Sequence, residues 1–196
     1  MCCKITGIKH PVTYPMLSTY IVIMEYPHIM HLTMRKVFSD LAFWLHRLVV
    51  CKTASLNCER YILDRLKLTP TDIAAVFGNY IPKESAVKIT AVFEKHIDLV
   101  TALLAAQINS DHKNVDDYIQ KLYAHAHEKA DFFMTLNPNY AYDELRPLLD
   151  MNIDLIRSLI SARLCSEHQK EIIIFDAMHH NILNLADFLA GGFVAD

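Results

Sequence analysis

The chain has 196 residues, with 19 basic and 22 acidic side chains and a formal charge of −3. This length is close to that of one domain, and the mixed charges offer no basic face to a polyanion, so we expect a single domain without a nucleic-acid partner. With only 4 glycines, the composition favours helices, which need few of them.

The 5 cysteines form no C-x-x-C pair and no framework of short spacings, which is typical of a reducing cytoplasm. The most apolar stretch near the N-terminus, residues 16–24, is far shorter than the roughly 20 residues that cross a bilayer. We therefore predict a soluble, cytoplasmic protein without a membrane partner. Cys51 and Cys58 are interpreted as buried or incidental thiols, since the first helix is expected to end between them.

Residues 1–29 contain three prolines, which break helices, and are predicted to be a poorly defined N-terminal appendage. Residues 30–194 are predicted to form a single helical-bundle domain. Its first helix is expected to span about residues 30–53. This segment is apolar on nearly every side, which is typical of a helix surrounded by other elements.

A less regular stretch, residues 54–81, contains one predicted short helix, with Thr69 as a candidate cap. Four further long helices are indicated by apolar residues at every third or fourth position. Their expected ranges are 82–108, 115–136, 143–164 and 167–189, the last stopped by a left-handed turn at Gly191 and Gly192. Short connections force neighbouring helices to run antiparallel. The fold predicted is all-α: an antiparallel up-and-down bundle of four to five long helices with a short helical insertion after the first.

From about residue 30 to 194, the order of these segments is similar to a family of small bacterial helical-bundle proteins of unassigned function. Some members carry a kinase label, but the four glycines of this chain lie outside any phosphate loop, so nothing here supports that activity. The resemblance rests on spaced signals: Met34-Arg35 through Trp44, Asp72-Ile73 before Asn79-Tyr80, His96-Ile97 before Ala105-Ala106, Asn137-Pro138 after the helix from Tyr123 to Phe133, and Phe175-Asp176 and Ala186-Asp187 before Gly191.

The chain departs from that family at four positions. The family tends to have histidine where this chain has Leu41 and Asn152, and asparagine or aspartate where it has His125 and His127. A ligand set that the family holds through those side chains would therefore be incomplete in this chain.

Three polar side chains, His96, Asn152 and His179, fall on the apolar stripes of three different predicted helices. A buried polar group without a partner costs roughly 1–3 kcal/mol, so we expect these three to form an interior polar network or a ligand site. Asp176 lies one turn before His179, and His96, Asp176 and His179 are the candidate set for a divalent metal. No other cofactor is expected.

Other histidines are predicted to lie at the surface or at the boundary of the core. His125 and His127 fall at opposite margins of their helix's apolar stripe, and His46 and His168 point away from theirs.

No nucleophile elbow, phosphate loop or paired metal-ligand motif is recognisable. The sequence therefore favours a protein that is not an enzyme, without excluding an enzyme. Our first hypothesis is a non-catalytic bundle that binds an unknown protein partner or associates with itself, since 53% of the chain is apolar. The alternative is a metal- or small-ligand-binding four-helix-bundle protein that uses interior His and Asp side chains.

Overall fold

The computed structural model describes the backbone of residues 26–193 and the side chains of residues 29–193. Every regular element in this range is a helix, which confirms the predicted all-α bundle of long helices. The helices are α1 (Tyr26–Thr53), α2 (Glu59–Leu66), α3 (Thr69–Phe77), α4 (Lys83–Ile108), α5 (His112–Leu136), α6 (Tyr142–Leu164) and α7 (His168–Gly191).

The first part of the chain differs from the prediction in three details. Helix α1 begins at Tyr26, four residues before the expected start, because Pro27 falls in the first helical turn, where its missing N–H would have no partner in any case. Helix α2 was not predicted. Thr69 does not cap α3, since its hydroxyl donates back to the Leu66 carbonyl at 2.7 Å. The predicted appendage, apart from its last residues, lies outside the described residues.

Loops of three to five residues join α4, α5, α6 and α7 in turn, so each of these helices runs antiparallel to the one before it. Helix α1 packs mainly against α7 and also contacts α6, while α4 packs against α5 and α6. The short helices α2 and α3 cover α1, and α3 also contacts α4. Among the described helices, none combines the length and the apolar character needed to cross a membrane.

One continuous apolar core runs through the bundle. Phe38 of α1 meets Phe93 of α4 edge to face, with ring centroids 5.7 Å apart, and Phe77 of α3 approaches Phe133 of α5 at 5.8 Å. Each fully buried side chain of this size stabilises the fold by roughly 1.5–3 kcal/mol. This packing holds the long helices in fixed positions and therefore also fixes the positions of the side chains between them.

Three helices end in the same way, at a serine with a left-handed backbone. Ser55, Ser110 and Ser166 have φ values of 51°, 54° and 57°. After each serine, the next N–H bonds to a carbonyl five residues back, as when Asp111 donates to Ala106 at 2.9 Å. This pattern satisfies the free carbonyl groups of a helix end and is usually formed with glycine.

Tyr140 closes the end of the bundle where the α5–α6 loop meets the end of α7. Its hydroxyl donates to the Leu189 carbonyl at 2.6 Å, and Asn137 donates to the Gly192 carbonyl at 2.6 Å. Gly192 has an ordinary right-handed backbone, with φ of −60°, so the predicted left-handed glycine stop is wrong. Glycine is required there because a Cβ would lie 2.2 Å from the Tyr140 ring.

Candidate ligand site in the bundle interior

A small cavity lies in the centre of the bundle, and all five long helices contribute to its wall. The space open to the centre of a water molecule is about 20 Å³, and roughly 10–15 Å³ on that measure admits one water. Its polar side chains are His96 of α4, Lys129 of α5 and Asn152 of α6. Its apolar lining is Phe38, Leu41, Phe93, Ala126, Leu149, Ile153, Ile182 and Leu185.

Lys129 is the unexpected member of this group. The side chain is only 3% exposed, and its Nζ lies 4.8 Å from the centroid of the Phe93 ring. Burial lowers the pKa of Lys129 to about 7, and no carboxylate among the described residues offsets this effect. A buried ammonium group is normally paired with a negative charge. The protonated form of Lys129 is therefore a cation that the described side chains leave uncompensated.

His96 is buried, and it lies on the cavity wall. Burial is the largest cause that holds its pKa well below the ordinary value, followed by the charges of Lys129 and His125. His96 is consequently neutral at pH 7. A neutral imidazole has one N–H donor and one acceptor nitrogen, so His96 can donate a hydrogen bond into the cavity.

Asn152 lies on the same wall and is also buried, so the structure brings two of the three predicted polar residues together. Its Oδ1 has no hydrogen-bond partner among the described residues. Buried amide oxygens are nearly always bonded to protein, water or ligand. Since rotation of the amide exchanges its oxygen and nitrogen, Asn152 can present either an acceptor or a donor at that point.

His125 is buried as well, which corrects its predicted place at the margin of the core. Its Nε2 donates to the backbone carbonyl of Val92 at 3.0 Å, and its ring stacks on that of His96 with centroids 6.1 Å apart. Burial, followed by the charge of Lys129, lowers the pKa of His125. The ring therefore stays neutral beside the lysine and holds the position of His96.

The candidate metal set His96, Asp176 and His179 is not assembled. Asp176 is exposed, while His179 is half-buried, with its Nε2 2.9 Å from Ser39 Oγ and its ring stacked on Phe175. Residues 29–193 contain no group of three or more His, Cys, Asp or Glu side chains placed to hold a metal ion. A divalent cation beside His96 would also face Lys129.

The reason for this difference is the rotation of α7. Its buried face includes Met178, Asn181, Ile182 and Leu185, which directs His179 to the margin next to α1. Asn181 takes the interior position instead, and its amide nitrogen donates to the Leu148 carbonyl of α6 at 3.0 Å.

A second polar cluster joins α1, α6 and α7 around the buried carboxylate of Glu171. His46 Nε2 lies 3.0 Å from Glu171 Oε1, and Arg163 Nη1 lies 3.2 Å from Oε2. His168 Nδ1 is 3.3 Å from the same Oε2. Burial alone would raise the pKa of Glu171, but hydrogen bonds from His46, His168 and Arg163 lower it. His46 is half-buried and His168 is exposed, so both lie outside the apolar core, and both contact the buried carboxylate of Glu171.

No protein-family model, curated protein or solved structure matches this chain. The resemblance to small bacterial helical-bundle proteins therefore stays a prediction. The kind of ligand that the interior can bind is therefore inferred from the side chains that line the cavity.

Sequence reasoning missed Lys129, although its spacing contained the signal. Lys129 lies three residues after Ala126 and four before Phe133, both on the predicted apolar stripe of α5. Such spacing places a side chain on the same helical face. Because lysine is almost never fully buried without a partner, the pattern predicts an exposed side chain at this position. That rarity makes Lys129 the most informative residue of the site.

Proposed function

We propose that the protein binds a small anion inside the bundle. The Lys129 ammonium supplies the counter-charge, and His96 and Asn152 supply hydrogen-bond donors. One observation carries the proposal: a lysine that is 3% exposed borders a cavity in which no described carboxylate neutralises it. An anion would satisfy the cation and the amide of Asn152 together.

The size of the cavity limits the ligand. A volume of about 20 Å³ suits a species close to the size of water, such as a halide ion, and excludes a sugar, a nucleotide or an aromatic molecule without a rearrangement of the core. Water is the competing occupant. Water does not neutralise Lys129, however, so anion binding and water filling predict different dependences on pH and on salt.

This proposal replaces the metal version of the ligand-binding hypothesis and keeps its small-ligand version. The role is binding rather than catalysis, and a cytoplasmic location belongs to the proposal because the cysteine pattern favours a reducing compartment.

Chloride NMR relaxation tests the proposal directly. The excess line width of chloride should rise when the wild-type protein is added, and it should increase as the pH falls from 9 to 6, because the protonated form of Lys129 binds the anion. Lys129→Met should remove this pH-dependent part. Lys88→Met, at an exposed lysine on α4, is the matched control and should leave it unchanged. Equal broadening in all three proteins would mean that chloride binds the surface and would remove the proposal.

Self-association is a second candidate function, and two exposed apolar side chains support it. Ile172 and Ile173 are adjacent on α7, and each is 62% exposed. A partner that covers them would bury apolar surface at roughly 25 cal/mol per Å². Sedimentation over a wide concentration range tests this, with Ile173→Lys as the variant expected to weaken assembly. A protein that stays monomeric at every concentration would exclude self-association.

A further inference from the structure

Two cysteines that are separated by seven positions in sequence are in contact in the structure. Cys51 lies in the last turn of α1 and Cys58 directly precedes α2, and their Sγ atoms are 2.7 Å apart. The sequence suggested buried or incidental thiols because α1 was expected to end between them, and Cys51 is indeed buried. Helix α1 does end there, but the turn at Ser55 brings the chain back, so that the second sulfur meets the first.

The Cys51 thiol donates to the Leu56 carbonyl at 3.4 Å, and the turn between the two cysteines is also held by contacts that do not involve sulfur. The Leu56 N–H donates to the Cys51 carbonyl at 3.0 Å, and Lys52 Nζ pairs with Glu59 Oε1 at 2.8 Å across the same loop. Ser55 fixes the left-handed step. These interactions keep the two side chains adjacent whether or not they are bonded, so the loop does not have to reorganise before a bond forms.

We propose that Cys51 and Cys58 form a reversible intramolecular disulfide by exchange with a low-molecular-weight disulfide. In the first step, the Cys58 thiolate attacks one sulfur of the small disulfide, which gives a mixed disulfide on Cys58 and releases one small thiolate. In the second step, Cys51 loses its proton to that thiolate and attacks the Cys58 sulfur, which breaks the bond between Cys58 and the small molecule and releases a second small thiolate. This second thiolate takes up the proton that Cys58 released when it ionised. The products are the Cys51–Cys58 disulfide and two small thiols; the protein pair is oxidised and the small disulfide is reduced.

The two thiols differ in access, which sets this order. Cys58 is half-buried and can meet a reagent from solvent, whereas Cys51 is buried. Burial, followed by the hydrogen bond and the charge of Cys58, raises the pKa of Cys51, so its thiol stays protonated until a mixed disulfide forms next to it. Cys165 is exposed and distant in sequence from the pair, which makes it the natural internal control.

Peptide mapping after equilibration in glutathione buffers tests the proposal on the full chain. Free thiols are alkylated in denaturant before digestion with trypsin, which cleaves after Arg47, Lys52 and Arg60 and so puts Cys51 in peptide 48–52 and Cys58 in peptide 53–60. Oxidising buffers should yield these two peptides joined by a disulfide, and reducing buffers should return both in alkylated form. Circular dichroism before the quench checks that the protein remains helical throughout.

Two variants sharpen the result. Cys165→Ser should form the linked peptides over the same range of buffers as the wild type. In Cys58→Ser, the link should vanish and Cys51 should be recovered as an alkylated thiol, because it is shielded from the reagent. Glutathione retained on peptide 53–60 while Cys51 is alkylated would overturn the proposal. A link from either peptide to residues 1–4, which carry Cys2 and Cys3, would also overturn it.

Discussion

Replacing Lys129 by methionine should stabilise the protein, which is the opposite of what most core substitutions do. Methionine has a similar length and removes the buried charge. Burial lowers the pKa of Lys129 from 10.5 to about 7, and each pKa unit corresponds to about 1.4 kcal/mol. At low pH, the buried lysine therefore lowers the free energy of unfolding of the wild-type protein by roughly 5 kcal/mol. Loss of the contact with the Phe93 ring offsets roughly 1 kcal/mol of the gain.

The stability gained by Lys129→Met must depend on pH, and the direction of this dependence follows from how tightly the folded and unfolded states bind the lysine proton. The unfolded chain binds the lysine proton more tightly than the folded protein, so the wild-type protein loses stability as the pH falls from 10.5 towards 7 and then levels off. The cost of the lysine is about 5 kcal/mol at pH 6 and about 2 kcal/mol at pH 9. Lys129→Met should therefore gain roughly 3 kcal/mol more at pH 6 than at pH 9.

Urea unfolding at pH 6 and pH 9 measures both values, in a buffer whose anions are too large for the cavity. The exposed control Lys88→Met should change stability by less than roughly 0.5 kcal/mol at either pH. A Lys129→Met protein that is less stable than the wild type at pH 6 would refute the reasoning. A gain that is equal at both pH values would refute it as well, because the lysine would then have no lowered pKa.

Three further substitutions test the surrounding structure. Glu171→Gln should destabilise the protein by roughly 1–3 kcal/mol at pH 7, because it weakens the hydrogen bonds that the carboxylate accepts from charged donors. Urea unfolding should show this loss of stability shrinking as the pH falls below 4.5, where the carboxylate is protonated in the unfolded chain. Ser110→Gly should raise the free energy of unfolding by roughly 0.5–1 kcal/mol. Relief of the left-handed φ of 54° contributes about 1–2 kcal/mol, and the entropy cost of glycine offsets about 0.5–1 kcal/mol of it; a loss of stability would show that the serine is unstrained. Gly192→Ala should lower the melting temperature because its Cβ would meet Tyr140, whereas Gly191→Ala has no atom within 4 Å of its Cβ and should change it little.

The fold was predictable because apolar spacing on long helices is a strong signal. Helix α4 was expected over residues 82–108 and spans Lys83–Ile108, and the other long helices end within two residues of their predicted C-terminal ends. The backbone conformation just beyond three of these helices was less predictable. Ser55, Ser110 and Ser166 adopt a backbone that usually indicates glycine, so composition did not mark them.

The site was predictable only in part. His96 and Asn152 were placed on facing helices correctly because both stripes were well defined. His179 was not, since it lies at the edge of the buried face of α7, where a small rotation about the helix axis decides whether a side chain faces the core. Lys129 and Glu171 were missed for a common reason: sequence patterns treat charged residues as exposed, while tertiary contacts decide which of them are buried.

The most direct test of the central claim is the pKa of Lys129, measured by NMR on isotope-labelled lysine side chains, with Lys129→Met to assign the signal. An uncompensated buried ammonium group should titrate near pH 7 in chloride-free buffer, and its pKa should rise as chloride is added because the anion binds the protonated form. A pKa near 10.5 that does not respond to chloride would contradict both the buried charge and the anion site.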